Sequence, residues 1–209
     1  MKKVIINGID LSTYKLVYES HYFPSPLPKT SFIDIPFGDG QLDLTEAIVP
    51  YPVFSNREGT ISLGIMRGQA DFYQSEDTLR ADFLGRRAVV TIDDSWEYIG
   101  RVVDLQFEHT YGFLRVVFVL NLKPYKLKPT ITSLSYEIDG TNNIQITNSP
   151  MPTTVKLITD ASIQLIIGAN SYAYNAGTHT IPVKLLSGLN EWVFNGTANI
   201  TLEYQEGAI

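Results

Sequence analysis

Phe113-Leu114-Arg115-Val116-Val117-Phe118-Val119-Leu120-Asn121-Leu122 is the stretch on which the fold turns. In an extended chain, side chains alternate sides at every residue, so Leu114, Val116, Phe118, Leu120 and Leu122 share one face. Val117 and Val119 make the opposite face apolar as well. A strand with two apolar faces predicts a central position, covered on both sides. Upstream, Thr60-Ile61-Ser62-Leu63-Gly64-Ile65-Met66 alternates apolar and polar residues, which predicts a half-buried strand. Ala88-Val89-Val90-Thr91-Ile92, then Asp93-Asp94-Ser95, then residues 96–103 read as a hairpin. Between these lies one helical stripe, residues 75–85. Ser75 is the expected cap, Glu76 and Asp77 suit the first turn, Leu79, Phe83 and Leu84 form the apolar face, and Gly85 stops it.

Beyond residue 128 the composition changes. Residues 1–128 carry 14 of the basic and 16 of the acidic side chains, whereas residues 129–209 carry two and six. The second part is rich in Thr and Asn, and Asp139-Gly140, Asn142-Asn143, Asn175-Ala176-Gly177 and Asn195-Gly196 offer turn chemistry. Ile181, Val183 and Leu185 alternate, as do Ile200, Leu202 and Tyr204. This predicts a small antiparallel β-sandwich. Lys123-Pro124-Tyr125-Lys126-Leu127-Lys128-Pro129 reads as a short linker, giving two domains, 1–128 and 129–209. The fold class expected is mainly β, a strand-rich first domain with one α-helix followed by the sandwich.

Composition narrows the function. The 209 residues are 44% hydrophobic and 18% charged, with a net charge of −6 and no cysteine. Disulfides, thiolate metal sites and thiol catalysis are excluded. Nucleic-acid binders need clustered cations, and Lys2-Lys3 and Arg86-Arg87 are the only adjacent basic pairs, so no specific nucleic-acid binding is expected. The longest apolar runs are too short to cross a bilayer, so no membrane insertion is expected. The opening Met1-Lys2-Lys3-Val4-Ile5-Ile6 turns polar at Asn7, too soon for a secretory signal; synthesis in a cytoplasm is expected.

Searches for chemistry end without an enzyme. His21, His109 and His179 are far apart and in no ligand spacing; a solvated His109 beside the turn Thr110-Tyr111-Gly112 is the default. Asp34, Asp39, Asp43 and Glu46 cluster, but their spacing fails a calcium loop, and Gly38-Asp39-Gly40 reads as a tight turn with positive φ. Glu137, Asp139 and Asp160 are too few and too turn-like for a wall hydrolase. No nucleotide-binding or nucleophile-elbow motif is present, and no catalytic, metal or cofactor site is assigned. Tyr172, Tyr174 and Trp192 could line a sugar face, although Trp192 and Phe194 at alternate positions suit core packing better.

One segment fits neither domain pattern. His21-Tyr22-Phe23-Pro24-Ser25-Pro26-Leu27-Pro28-Lys29-Thr30-Ser31-Phe32-Ile33-Asp34-Ile35-Pro36 is apolar, aromatic and held extended by its prolines. It either crosses one end of the first domain or forms an arm laid against another chain. In the second case Pro24, Pro26, Phe32, Asp34 and Ile35 are the candidate interface residues.

Ile33-Asp34-Ile35-Pro36 through Gly38-Asp39-Gly40-Gln41-Leu42-Asp43-Leu44 closely resembles the DIPGRDGxLDL signature of distal tail proteins, from long-tailed phages and prophages of Gram-positive hosts. Asn7-Gly8-Ile9-Asp10, Phe83-Leu84-Gly85-Arg86-Arg87, the Trp96 to Val102 segment (aromatic-Tyr-x-Gly-Arg-Val), Lys123-Pro124-Tyr125-Lys126 and Ser187-Gly188-Leu189-Asn190 are similar to that family too. Phe37 departs from it, standing where the family often has Gly, and Asp39 follows Gly38 without the usual Arg. The resemblance implies a ring-forming first domain and a galectin-like second domain facing outward. It implies a hexameric hub of the tail tip or baseplate, without enzymatic activity or cofactor, through which DNA passes. The partners implied are further copies of itself, the tail tube protein, a tail-tip or tail-associated protein and a receptor-binding protein, all in the virion tail. Part of the acidic excess of residues 1–128 is expected to line the lumen. The alternative is a carbohydrate-binding module that recognises host cell-wall glycan through Tyr172, Tyr174 and Trp192.

Overall fold

In the computed structural model, residues 2–66, 68, 71–93, 96–110 and 112–209 are described. The middles of two expected turns, Asp94-Ser95 and Tyr111, lie outside the described residues. Phe113–Leu127 forms a 15-residue strand, β9, after β1 (Val4–Ile6), β2 (Ile9–Asp10), β3 (Val17–Tyr22), β4 (Phe32–Asp34), β5 (Gln41–Asp43), β6 (Arg57–Met66), α1 (Phe72–Phe83), β7 (Arg87–Ile92) and β8 (Glu97–Thr110). The strand order is β2-β1-β7-β8-β9-β6-β3, which places β9 centrally, between β8 and β6. The register runs from Arg57↔Leu122 to Met66↔Phe113 against β6. Leu114, Val116, Phe118, Leu120 and Leu122 are buried, and Val119 is buried on the opposite face. The hairpin of β7 and β8 pairs Arg87 with Arg101 through Thr91 with Glu97.

The helix begins three residues before the expected cap. Asp71 is the N-cap and accepts the Gln74 amide at 3.1 Å, while the Ser75 hydroxyl donates back to the Asp71 carbonyl. Starting at Phe72 lets that ring pack on the core beside Leu79 and Phe83. Glu76 is buried rather than an exposed first-turn acid: it pairs with His109, itself flanked by the Tyr73 ring, and with Arg80 one turn on. His109 keeps 41% of its side chain in solvent, as expected, while also hydrogen-bonding to Glu76. Leu84 ends the helix as its C-cap and is exposed rather than part of the apolar face. Gly85 follows in the left-handed region (φ 72°), as a stopping glycine should.

The chain divides into two compact units, Met1–Lys126 and Leu127–Ile209. Residues 123–127 are the end of β9 and not a linker; only Lys128-Pro129-Thr130-Ile131 is irregular before the next strand. In the second unit β10 (Thr132–Asn148), β11 (Lys156–Thr159), β12 (Ile163–Ile167), β13 (Asn170–Tyr174), β14 (Gly177–Thr180) and β15 (Gly188–Tyr204) pair in the order β13-β12-β15-β11-β14, with β10 also on β15. β10 and β15 pair over all 17 residues. Asp139-Gly140, Asn142-Asn143 and Asn195-Gly196 are therefore not turns. Gly140 and Gly196 sit opposite each other inside the ladder, both with positive φ (75° and 144°). Here β15 passes from its pairing with β12 to its pairing with β11. Glycine supplies the conformation such a change in strand path requires. Asn175-Ala176-Gly177 does turn, joining β13 to β14. The core of this unit includes Ile138, Ile144, Leu165, Trp192, Phe194 and Leu202.

Candidate oligomer interface

Between β3 and β6 the chain leaves the first unit's sheet and returns. The two passages are held together at their root. Lys29 donates its amide to the Val53 carbonyl at 2.7 Å, Ser55 donates to Leu27 at 2.8 Å, and Pro28 bridges to Phe54. Arg57, buried at the start of β6, donates Nη1 to the Pro24 carbonyl at 3.0 Å and stacks over Tyr98. Burial pushes the Arg57 guanidinium below the ordinary arginine range. The expected interface prolines divide by role. Pro26 is buried and Pro24 is half-buried with its carbonyl tied, so both fix the direction in which the segment leaves.

Further out, β4 and β5 form a two-stranded hairpin with Phe32↔Asp43, Ile33↔Leu42 and Asp34↔Gln41 in register. Ser31 and Thr45 close its base, with Leu44 donating to the Ser31 carbonyl at 2.8 Å. Asp34 accepts from Gln41 Nε2 at 2.8 Å. Asp43 accepts the Thr45 amide at 2.9 Å, and its hydrogen bonds to Thr45 hold its carboxyl below the usual range. The tip is a turn in which Gly38 donates to the Ile35 carbonyl. The positive φ values fall at Phe37 (58°) and Gly40 (85°), not at Gly38 or Asp39. For an aromatic residue the left-handed region costs about 1–2 kcal/mol. That is where the distal tail signature has glycine.

The hairpin's exposure is its main property. Phe32, Ile33, Ile35 and Leu42 are exposed, and Phe37 at the tip is entirely so. Two strands of three residues are marginal alone, and an exposed apolar patch on them marks a contact surface. Phe32 and Ile35 were legible as interface candidates. Phe37, Leu42, Leu27 and Ile48 were missed, although a run with apolar residues on both faces and no helix to cover it carries the signal.

The remaining candidate residues do not converge. His21 lies on β3 against the Tyr18 hydroxyl (2.7 Å), His109 on β8 and His179 on β14. No group of three or more His, Asp or Glu side chains suited to a metal occurs among the described residues. Glu137, Asp139 and Asp160 line an open groove of about 470 Å³. Asp160 is pinned by the Asn199 amide and Nδ2, which hold its carboxyl low, the opposite of what a general acid needs. Trp192 is 2% exposed and belongs to the core, so it offers no face to a sugar. Tyr172 and Tyr174 are half-buried on β13, with Tyr174 against His179.

The chain is mainly antiparallel β in two compact units, with one α-helix among the described residues. The structure matches the SPP1 Dit protein (gp 19.1), a paradigm of the hub adsorption apparatus in phages that infect Gram-positive bacteria. The TM-score is 0.70, with 15% identity over 100% of both chains. A conserved protein of unknown function from Pseudomonas aeruginosa PAO1, PA5104, matches at TM-score 0.31 and 13% identity over 90% of this chain and 100% of that one. A designed double-stranded β-helix matches at TM-score 0.27 and 12% identity over 37% of this chain and 99% of that one. No family model and no curated protein matches the sequence. No helix among the described residues is long and apolar enough to cross a membrane.

Proposed function

We propose that this chain is a non-enzymatic structural hub of a phage tail tip or baseplate. Its first domain (1–128) forms a homohexameric ring that joins the tail tube protein to the tip and host-adhesion proteins and lets DNA pass. The second (129–209) faces outward, where a receptor-binding protein docks. The observation that carries the reading is the projecting hairpin, with Phe32, Ile35 and Phe37 exposed, on a chain whose whole fold matches SPP1 Dit. A ring uses head-to-tail contacts in which each subunit offers one surface and receives another. The hairpin is the surface offered, and it clasps the neighbouring copy through its apolar side chains.

The double variant Phe32→Ser, Phe37→Ser tests this. Negative-stain electron microscopy of the unmodified chain is expected to show six-fold rings with an open centre, and the variant, folded by circular dichroism, none. Rings of equal abundance from the variant would reject the hairpin as the clasp. A basic rather than acidic lumen would remove the proposed role of the acidic excess in DNA passage.

A further inference from the structure

The sequence places no basic cluster along the chain, yet the fold builds one. On the first unit's sheet, Arg87 of β7 stands directly opposite Arg101 of β8 in the register, and Lys123 of β9 lies beside them. All three are exposed. Like charges directly across a ladder repel, and no ion pair among the described residues neutralises any of the three. Arg101 is held in place by donating Nη1 to the Gly85 carbonyl at 2.5 Å. The three cations line an open groove of about 310 Å³ whose apolar walls are Ile99 and Val103. Glu58, exposed on β6 opposite Asn121, flanks the groove without an ion pair to it.

We propose that this groove is the seat for the acidic hairpin of a second copy of this chain. The proposal rests on the clasp described above and names the surface that receives it. The occupant follows from complementarity. The arm carries Asp34, Asp39, Asp43 and Glu46 against a single lysine, Lys29, at its root. One face of its hairpin sets carboxylates beside an aromatic ring, with Asp43 directly across from Phe32 and Asp34 two residues on. The groove sets guanidinium and ammonium groups next to Ile99 and Val103 in the same mixture. Arginine forks take carboxylates in paired hydrogen bonds, so the repulsion between Arg87 and Arg101 is relieved on docking. Hairpin and groove are different surfaces of one chain, so the contact is heterologous, the kind from which rings are built. Three cations beside Glu58 are a small footprint for a nucleic acid, whose binding scales with the phosphates neutralised.

Charge reversal on each side tests the pairing. One variant carries Arg101→Glu and Lys123→Glu; the other carries Asp39→Lys and Glu46→Lys, two acids without an ion pair among the described residues. Each alone is expected to lose the native assembly in light scattering. An equimolar mixture is expected to regain it, because each reversed hairpin then meets a reversed groove and each native hairpin a native one. Circular dichroism and a thermal melt confirm that both variants fold. Undiminished assembly of the groove variant, or a mixture of folded chains that stays dissociated, overturns the proposal while leaving the clasp intact. Loss of binding to labelled double-stranded DNA in the groove variant, with assembly unchanged, overturns it in favour of nucleic acid. A native chain that never assembles overturns the clasp and the seat together.

Discussion

Phe37 shows how much one residue can say. It is an aromatic side chain held at φ 58°, fully in solvent, at the tip of a turn. Folding of the isolated chain has no use for any of those three conditions, and strain of this kind points to a surface completed by something else. Glu206 carries the opposite message, because all its partners are internal to the second unit. Its carboxylate accepts from the Thr132 hydroxyl and pairs with Lys128 at 3.1 Å, tying the last segment of that unit to its first. The Thr132 hydrogen bond, then Lys128, hold the Glu206 carboxyl below its ordinary 4.5 despite partial burial. A carboxyl with a lowered folded pKa stabilises above its unfolded value, and the benefit is lost as pH falls through the folded one. Glu206→Gln is therefore expected to cost about 1 kcal/mol at neutral pH. The difference from the native chain should shrink below about pH 4.5 in urea titrations run at several pH values. A constant difference from neutral to acid would mean that the charge is not what the Thr132–Lys128 pair holds.

At the scale of elements, glycines mark where strands approach or bend. A methyl group at Gly100 would lie 2.2 Å from the Asn121 carbonyl oxygen and 2.9 Å from the Leu122 Cα, both backbone atoms of β9. Neither can yield without opening the ladder between β8 and β9. Gly100→Ala is expected to destabilise the chain by about 3 kcal/mol or more, read from the midpoint of urea unfolding. A native-like midpoint would mean that the two strands can part there at little cost. Elements also show what sequence could carry. The two-faced apolar run of β9 and the alternation in β6 were legible because period-2 patterns survive any tertiary arrangement. The helix was legible through Leu79 and Phe83, but its start was not: Ser75-Glu76-Asp77 imitates a cap and first turn. What decides between Asp71 and Ser75 is the burial of Phe72 and the pairing of Glu76 with His109, a residue 33 positions away. Gly140 and Gly196 misled for a related reason. Asp-Gly and Asn-Gly are turn dipeptides locally, and only the partner strand, 56 positions away, shows them facing each other inside one ladder.

For the molecule as a whole, the proposed interface was legible as an odd segment before its exposed apolar side chains were. Prolines and aromatics outside any strand pattern drew attention to residues 21–36, and the signature through Leu44 pointed to tail proteins. Pro24 and Pro26 were legible as residues but not as roles, since burial and the hydrogen bond from Arg57 exist only in the fold. The Arg87–Arg101–Lys123 face was invisible in sequence because three consecutive strands bring together residues that lie far apart along the chain. Trp192 shows the converse limit: an aromatic on an alternating strand suits a core better than a sugar platform, and only its burial, at 2% exposed, decides between them. The measurement that tests the account most directly is the native mass of the unmodified chain by light scattering across a wide concentration range. Chains of 23.4 kDa closed into a ring of six give about 140 kDa. A species of that mass, falling apart as salt is raised, is the expected result. A 23.4 kDa monomer at every concentration and ionic strength would contradict it.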